Sequence, residues 1–383
     1  MVIAVNEIAP SDAMFPADEY RDRIGKTRMK MAESNADVLL IDCVEHMVYL
    51  FGYAPPAAIY QAVLLPLDGE PVGVVRALDA SMFREQSWVR DVVLFADHED
   101  PVAVLSAEVK RRGWSKAQFA IELDSHFLPV RRFMQLQAAL PDVSFIDFSQ
   151  VLWEMRLIKS EREISMMREV SRIADAGMMA AVEAAGEGVS ERDCAAALYA
   201  SVIREGADSM RSALISAGAR SDSLHGRLGA HLLRRGDVLH VESIPLYRGY
   251  GARLMRSSVI GGPPPDLARA AEIMLAAQEA QFAAMRPGRR ASDVDAIVRD
   301  SIVEAGLRKT YENFTGYTLG FIGLPKTSDF TRAFLPGSDW LLEEGMVFHM
   351  YTYAAGIAFS DTVLITRSGS ERLTKTERKL FVR

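Results

Sequence analysis

The chain has 383 residues, 49% of them hydrophobic and 25% charged, the balance of an ordinary globular protein and enough for two domains. Its formal net charge is −7, with acidic and basic residues interspersed, which excludes the basic stripe of a nucleic-acid binder. No apolar run approaches the roughly 20 residues that span a bilayer, and the two cysteines, Cys43 and Cys194, suggest neither a disulfide framework nor a zinc site. The opening MVIAVNEIAPSDAMFPADEY lacks a basic start followed by an apolar core, so a cytoplasmic protein without membrane or nucleic-acid partners is expected.

Helix and strand signals alternate in the first part of the chain. Residues 20–34 carry apolar side chains at helical spacing, and ADVLLID is an apolar run of strand length. MVYLFGY is a further short apolar run, and AAIYQAVLLPLDGEPVGVV reads as two strands around a turn at Asp68-Gly69. DVVLF, QFAIEL and VSFIDF are strand candidates, with VAVLSAEVKRRGW a helix between them. This alternation predicts an α/β domain over residues 1–155. From Ser160 the character changes. SEREISMMREVSRIADAGMMAAVEAA is a long amphipathic helix that opens with the capping pair Ser160 and Glu163, and SERDCAAALYASVIREG repeats the pattern with Ser190 and Asp193. Strands are expected over residues 213–261 apart from a helical span at 228–235. A helical pair follows at 266–285 and 291–306, and strands close the chain through MVFHMYTY and FSDTVLITR. The second domain is therefore placed at 156–383, with α+β character.

Several stretches of this second part form a recognisable series. They are Arg156-x-Ile158-Lys159-Ser160-x-x-Glu163-Ile164, Gly236-Asp237-Val238-Leu239, Tyr247-x-Gly249-Tyr250, Arg256-Ser257 and Arg286-Pro287-Gly288. Gly316-Tyr317-x-x-Gly320, Glu344-Gly345-Met346-Val347-Phe348 and Asp361-Thr362-Val363-Leu364-Ile365-Thr366 complete it. In order and spacing the series resembles the pita-bread family of prolidase, aminopeptidase P, creatinase and ectoine hydrolase. The resemblance implies an α/β N-terminal domain followed by an α+β C-terminal pita-bread domain.

Metallopeptidases of this family hold two metal ions with two Asp, one His and two Glu. Counted from the Tyr247-x-Gly249-Tyr250 anchor, the resemblance puts those positions on Glu242, Arg253, Tyr317, Tyr351 and Ser360. One carboxylate remains and a cation stands where another belongs, so no metal and no cofactor are expected. Asp361 adjoins Ser360, but strand alternation turns it to the opposite face. The pair Phe348-His349, the stretch around Arg253 and the Gly316-Tyr317 segment resemble ectoine hydrolase, which with creatinase acts on C–N bonds without metal.

On that resemblance the expected reaction is metal-independent hydrolysis of a C–N bond in a small carboxylate-bearing amidine, guanidine or cyclic amide. Glu242 activates or delivers the nucleophile, His225 shuttles protons, and His349 has similar chemistry. A buried salt bridge between Glu242 and Arg253 is the structural alternative for that carboxylate. Arg253 anchors a substrate carboxylate, while Tyr317, Tyr351, Tyr353 and Ser360 line the pocket. His240 shares the strand parity of Glu242 and is expected behind it. Three other readings stand beside this one: elimination on sulfonium compounds, a catalytically silent binding protein, and metal-dependent cleavage of Xaa-Pro dipeptides. Creatinase-like relatives are homodimers, so a homodimer is the expected assembly.

Overall fold

The computed structural model describes residues 13–56, 59–323 and 326–383. Most of the N-terminal stretch read above, Ala57-Ala58 and Leu324-Pro325 lie outside them. The chain divides into two compact units: one runs to Met155 and takes in Gly323, and the other begins at Arg156.

The first unit is built on six strands: β1 (Val38–Ile41), β2 (Ala62–Pro66), β3 (Val72–Arg76), β4 (Asp91–Phe95), β5 (Gln118–Ile121) and β6 (Ser144–Asp147). They lie in the order β4-β3-β2-β1-β5-β6, with β1, β5 and β6 mutually parallel. Alternate residues Val38, Leu40, Leu64 and Val74 face one core, packed with Leu105 of α4 (Pro101–Arg111) and Leu136 of α5 (Val130–Ala139). Helices α1 (Ala17–Glu33), α2 (Val44–Phe51), α3 (Ala80–Gln86) and α6 (Val151–Met155) complete the unit. MVYLFGY proves to be mainly helix: α2 ends at Gly52, whose φ of 79° supplies a left-handed cap. All eight α2 residues are buried, and a short buried helix has the same apolar run as a buried strand.

The second unit pairs helices with one ten-stranded sheet. Its strands are β7 (Ser209–Ala217), β8 (Val238–Tyr247), β9 (Tyr250–Gly251), β10 (Leu254–Val259), β11 (Gly316–Thr318), β12 (Ala333–Phe334), β13 (Val347–Ala354), β14 (Ile357–Thr366), β15 (Gly369–Arg372) and β16 (Phe381–Val382). The main path runs β12-β11-β13-β14-β10-β8-β7. Helix α7 (Glu161–Ala184) packs on β8 and β10 and α8 (Glu191–Arg204) on β7, while α9 (Pro265–Ala284) and α10 (Ala291–Glu304) cover the β11–β14 side. Both capping boxes read from the sequence are formed, at Ser160 with Glu163 and at Ser190 with Asp193. The pleat then sorts side chains: Phe348, Met350, Phe359 and Val363 point to the helices α9 and α10, and their alternates point to the other face.

The helix expected at 228–235 is absent. That segment is extended, with Leu233 N–H donating to Val189 O and Gly188 N–H donating to Leu233 O, both at 2.8 Å. These long-range backbone bonds, with Gly229 N–H on the Glu191 carboxylate at 2.8 Å, satisfy the segment better than a short isolated helix would.

Candidate functional site

The face of the sheet turned away from α9 and α10 collects the positions that the motif series marks. Register places Glu242 opposite Met255, Met255 opposite Ser360, Ser360 opposite Tyr351, and His349 opposite Tyr317. Glu242, Tyr317, Tyr351 and Ser360 thus belong to one face of β8, β11, β13 and β14, and Arg253, just before β10, reaches the same face through its bond to Glu242. Asp361 is on the reverse face, bonded to Arg256 at 2.9 Å and to Thr374 Oγ1 at 2.9 Å, as strand parity requires.

The centre of the face is an ion pair. Arg253 Nε donates to Glu242 Oε1 at 2.8 Å, with Nη2 at 2.7 Å from the same oxygen, and both residues are buried. Arg253 Nη1 donates to Tyr317 Oη, so that hydroxyl has its own proton free for His349 Nδ1, 2.8 Å away. His349 is then neutral with its proton on Nε2. Burial first, and the charge of Arg253 second, hold its pKa well below the ordinary histidine value. Burial likewise raises the Tyr317 and Tyr351 hydroxyls, which stay protonated donors at any physiological pH. For Glu242 burial pushes the pKa up while Arg253 opposes it. Because a guanidinium does not deprotonate, a neutral Glu242 would strand a buried cation, and the ionised pair is the favoured state. Among the described residues Glu242 Oε2 and His349 Nε2 have no hydrogen-bond partner.

In front of this polar floor lies a cavity of about 750 Å³, within the range of roughly 300–1,000 Å³ typical of small-molecule sites. Arg253, Tyr317, Tyr351, Tyr353 and His225 line it. Glu242, His349 and Ser360 do not: Glu242 sits behind Arg253, His349 stacks on Tyr351 with centroids 5.4 Å apart, and Ser360 Oγ accepts from Met255 N–H at 2.7 Å. Tyr353 donates its hydroxyl to Asp222 O at 2.7 Å and so ties the loop carrying His225 to β13. His240 is fully buried, and burial first and the charge of His225 second pull its pKa down to about 4. Phe314, Phe330 and Asn313 also line the cavity and had no role in the sequence reading. Phe330 packs on Tyr317 with centroids 4.6 Å apart and holds a left-handed φ of 57°. Their nearness to the Gly316-Tyr317 motif was the one signal available.

Fold and site have the architecture of the pita-bread hydrolases, a creatinase-type N-terminal domain followed by a pita-bread domain. The chain belongs to metallopeptidase family M24, whose model matches residues 165–367, and the creatinase/prolidase N-terminal domain model matches residues 23–158. It is 28% identical to the Xaa-Pro dipeptidase of Pyrococcus horikoshii over 95% of this chain and 100% of that one. It is 27% identical to the ectoine hydrolase of Halomonas elongata, covering 96% and 98% of the two chains. The solved prolidase of Thermococcus sibiricus superposes with a TM-score of 0.85 at 25% identity, over 95% of this chain and 99% of that one.

These relatives correct the reading of the reaction. An amidine, guanidine or cyclic-amide substrate rested on likeness to creatinase and ectoine hydrolase. Ectoine hydrolase is indeed a relative, but Xaa-Pro dipeptidases and prolidases match at least as well over the full length, in sequence and in structure. The three features taken for the ectoine-hydrolase branch are short stretches, too few to outweigh the whole chain.

The metal pair that the family name implies was tested against the residues present. A dinuclear centre needs several bridging carboxylates, and among the described residues this sheet face offers Glu242 alone, already held by Arg253. A divalent ion about 4 Å from that guanidinium would meet a repulsion of roughly 8 kcal/mol at an effective dielectric of 20. Among the described residues no group of three or more His, Cys, Asp or Glu side chains is placed to hold a metal ion. The residues do not fit the dinuclear centre. Among the described residues, too, no helix is long and apolar enough to cross a membrane.

Proposed function

We propose that the C-terminal domain takes short peptides of the Xaa-Pro kind as substrates and hydrolyses them in the cavity in front of Arg253. The observation that carries this is the full-length likeness to Xaa-Pro dipeptidases combined with a cavity of about 750 Å³. Tyr317, Tyr351, Phe314 and Phe330 offer ring faces on which a pyrrolidine ring packs. Arg253 and the Tyr351 hydroxyl supply donors for the oxygen of the scissile carbonyl, where negative charge develops. His225 lines the same cavity, and its imidazole can accept a proton and hand it on. In this reading water adds to the carbonyl carbon and gives its proton to His225. The C–N bond then breaks, and that proton passes to the departing nitrogen. Glu242 acts as a positioning residue, fixing the guanidinium through Oε1.

The test is release of proline from a panel of Xaa-Pro dipeptides, with thermal-shift binding measured in parallel. Release that falls strongly in His225→Gln supports the reading. Binding without release keeps the ligand class and removes the hydrolytic step. Neither binding nor release across the panel refutes it.

A further inference from the structure

We infer that the guanidinium of Arg253 is the permanent cation of this site, binding ligand oxygen in the place where metallopeptidases of the fold use metal ions. The ligand class in this inference rests on the peptide reading above; the exclusion of metal does not. Arg253 stands at a position that the family resemblance assigns to an acidic ligand, and it brings its own charge to the one carboxylate that remains. Nε and Nη2 engage Glu242 Oε1, at 2.8 and 2.7 Å, and Nη1 engages the Tyr317 hydroxyl. The guanidinium also lies beside the Tyr317 ring, 5.5 Å from its centroid. Its plane is therefore fixed on two sides by partners that are themselves buried.

The donor count leaves something over. A guanidinium carries five N–H groups, and the contacts named here leave one on Nη1 and one on Nη2 uncommitted, in a side chain that lines the cavity. Guanidinium N–H groups are the usual receptor for a carboxylate or a polarised carbonyl. Tyr317 cannot take over this role, because its hydroxyl accepts from Arg253 and donates to His349. The pair Glu242–Arg253 is neutral as a unit, so the bound oxygen meets a held cation whose counter-charge lies on the far side. Metal ions are excluded from the same space by that cation.

Two measurements on the full chain, dialysed against chelator, test the two halves separately. Manganese chloride and cobalt chloride titrated calorimetrically onto the wild type should give no saturable binding. Stoichiometric binding that disappears in Glu242→Gln would overturn the inference, whatever peptides do. Ala-Pro is then titrated onto wild type, Arg253→Lys and Arg253→Met, each first shown to be folded by circular dichroism. Lysine keeps the charge and loses the fork, so Kd should rise about tenfold, and Arg253→Met should lose binding. Ala-Pro affinity unchanged in both variants would overturn Arg253 as the ligand-binding group. Failure of the wild type to bind Ala-Pro would sink the peptide reading, with the metal titration still deciding the exclusion of metal.

Discussion

Substituting Arg253 by Met is the perturbation whose consequence follows most directly from the geometry. It leaves Glu242, which has no exposed surface and whose Oε2 has no hydrogen-bond partner among the described residues, as a buried carboxylate without a counter-charge. Breaking such a pair from one side costs about 3–5 kcal/mol, because the remaining charge is no longer compensated. For a unit the size of the C-terminal domain that corresponds to a fall in Tm of roughly 6–20 °C. Replacing both partners, as Glu242→Leu with Arg253→Met, removes charge and counter-charge together and should return stability to near the wild-type value. Thermal and urea unfolding of the three proteins, followed by far-ultraviolet circular dichroism, measures both effects. A single variant that loses less than about 1 kcal/mol would refute the reasoning. So would a double variant as unstable as the single one, since the cost would then lie in packing rather than in an uncompensated charge.

Acid should weaken the fold through His240. Its folded pKa, about 4, lies below the unfolded value of about 6.5, so the stability it contributes is present above pH 6.5 and is lost as pH falls through 4. The full span is worth about 3 kcal/mol, and His240→Asn should flatten the stability profile between those values; parallel profiles would contradict the assignment. Ser160→Ala removes the side-chain acceptor for Glu163 N–H at the start of α7 and should cost about 1 kcal/mol in urea unfolding. Gly249→Ala combines a φ of +76° with a Cβ placed 2.2 Å from the Phe321 ring, and should destabilise by more than 1 kcal/mol; a neutral result would mean that the turn readily yields.

Much of the fold was legible because its signals are local. The capping boxes at Ser160 and Ser190 and the apolar period after them define α7 and α8, and strand parity along β13 and β14 separates His349 and Tyr351 from Asp361 before any coordinates are known. What failed was decided by distant contacts. Residues 228–235 are extended because they bond to the chain near Val189, while MVYLFGY, read only as an apolar run, is mainly helix with Gly52 as its cap. The site was legible in its composition and only partly in its depth. Spacing brings Glu242, Arg253, Tyr317, Tyr351 and Ser360 to one face, yet it cannot show that Arg253 lies in front of Glu242 or that Ser360 faces Met255 instead of the cavity. The rim residues Phe314 and Phe330 come from loops, where no period constrains direction. Nor could a few pocket positions identify the substrate class, since the whole chain resembles peptidases at least as well.

The most direct measurement is the calorimetric titration of Ala-Pro into chelator-treated wild-type protein, repeated after adding manganese. Saturable binding in chelator, unchanged by manganese, is the predicted result. Binding that appears only with manganese would contradict it and restore a metal to the place assigned to Arg253.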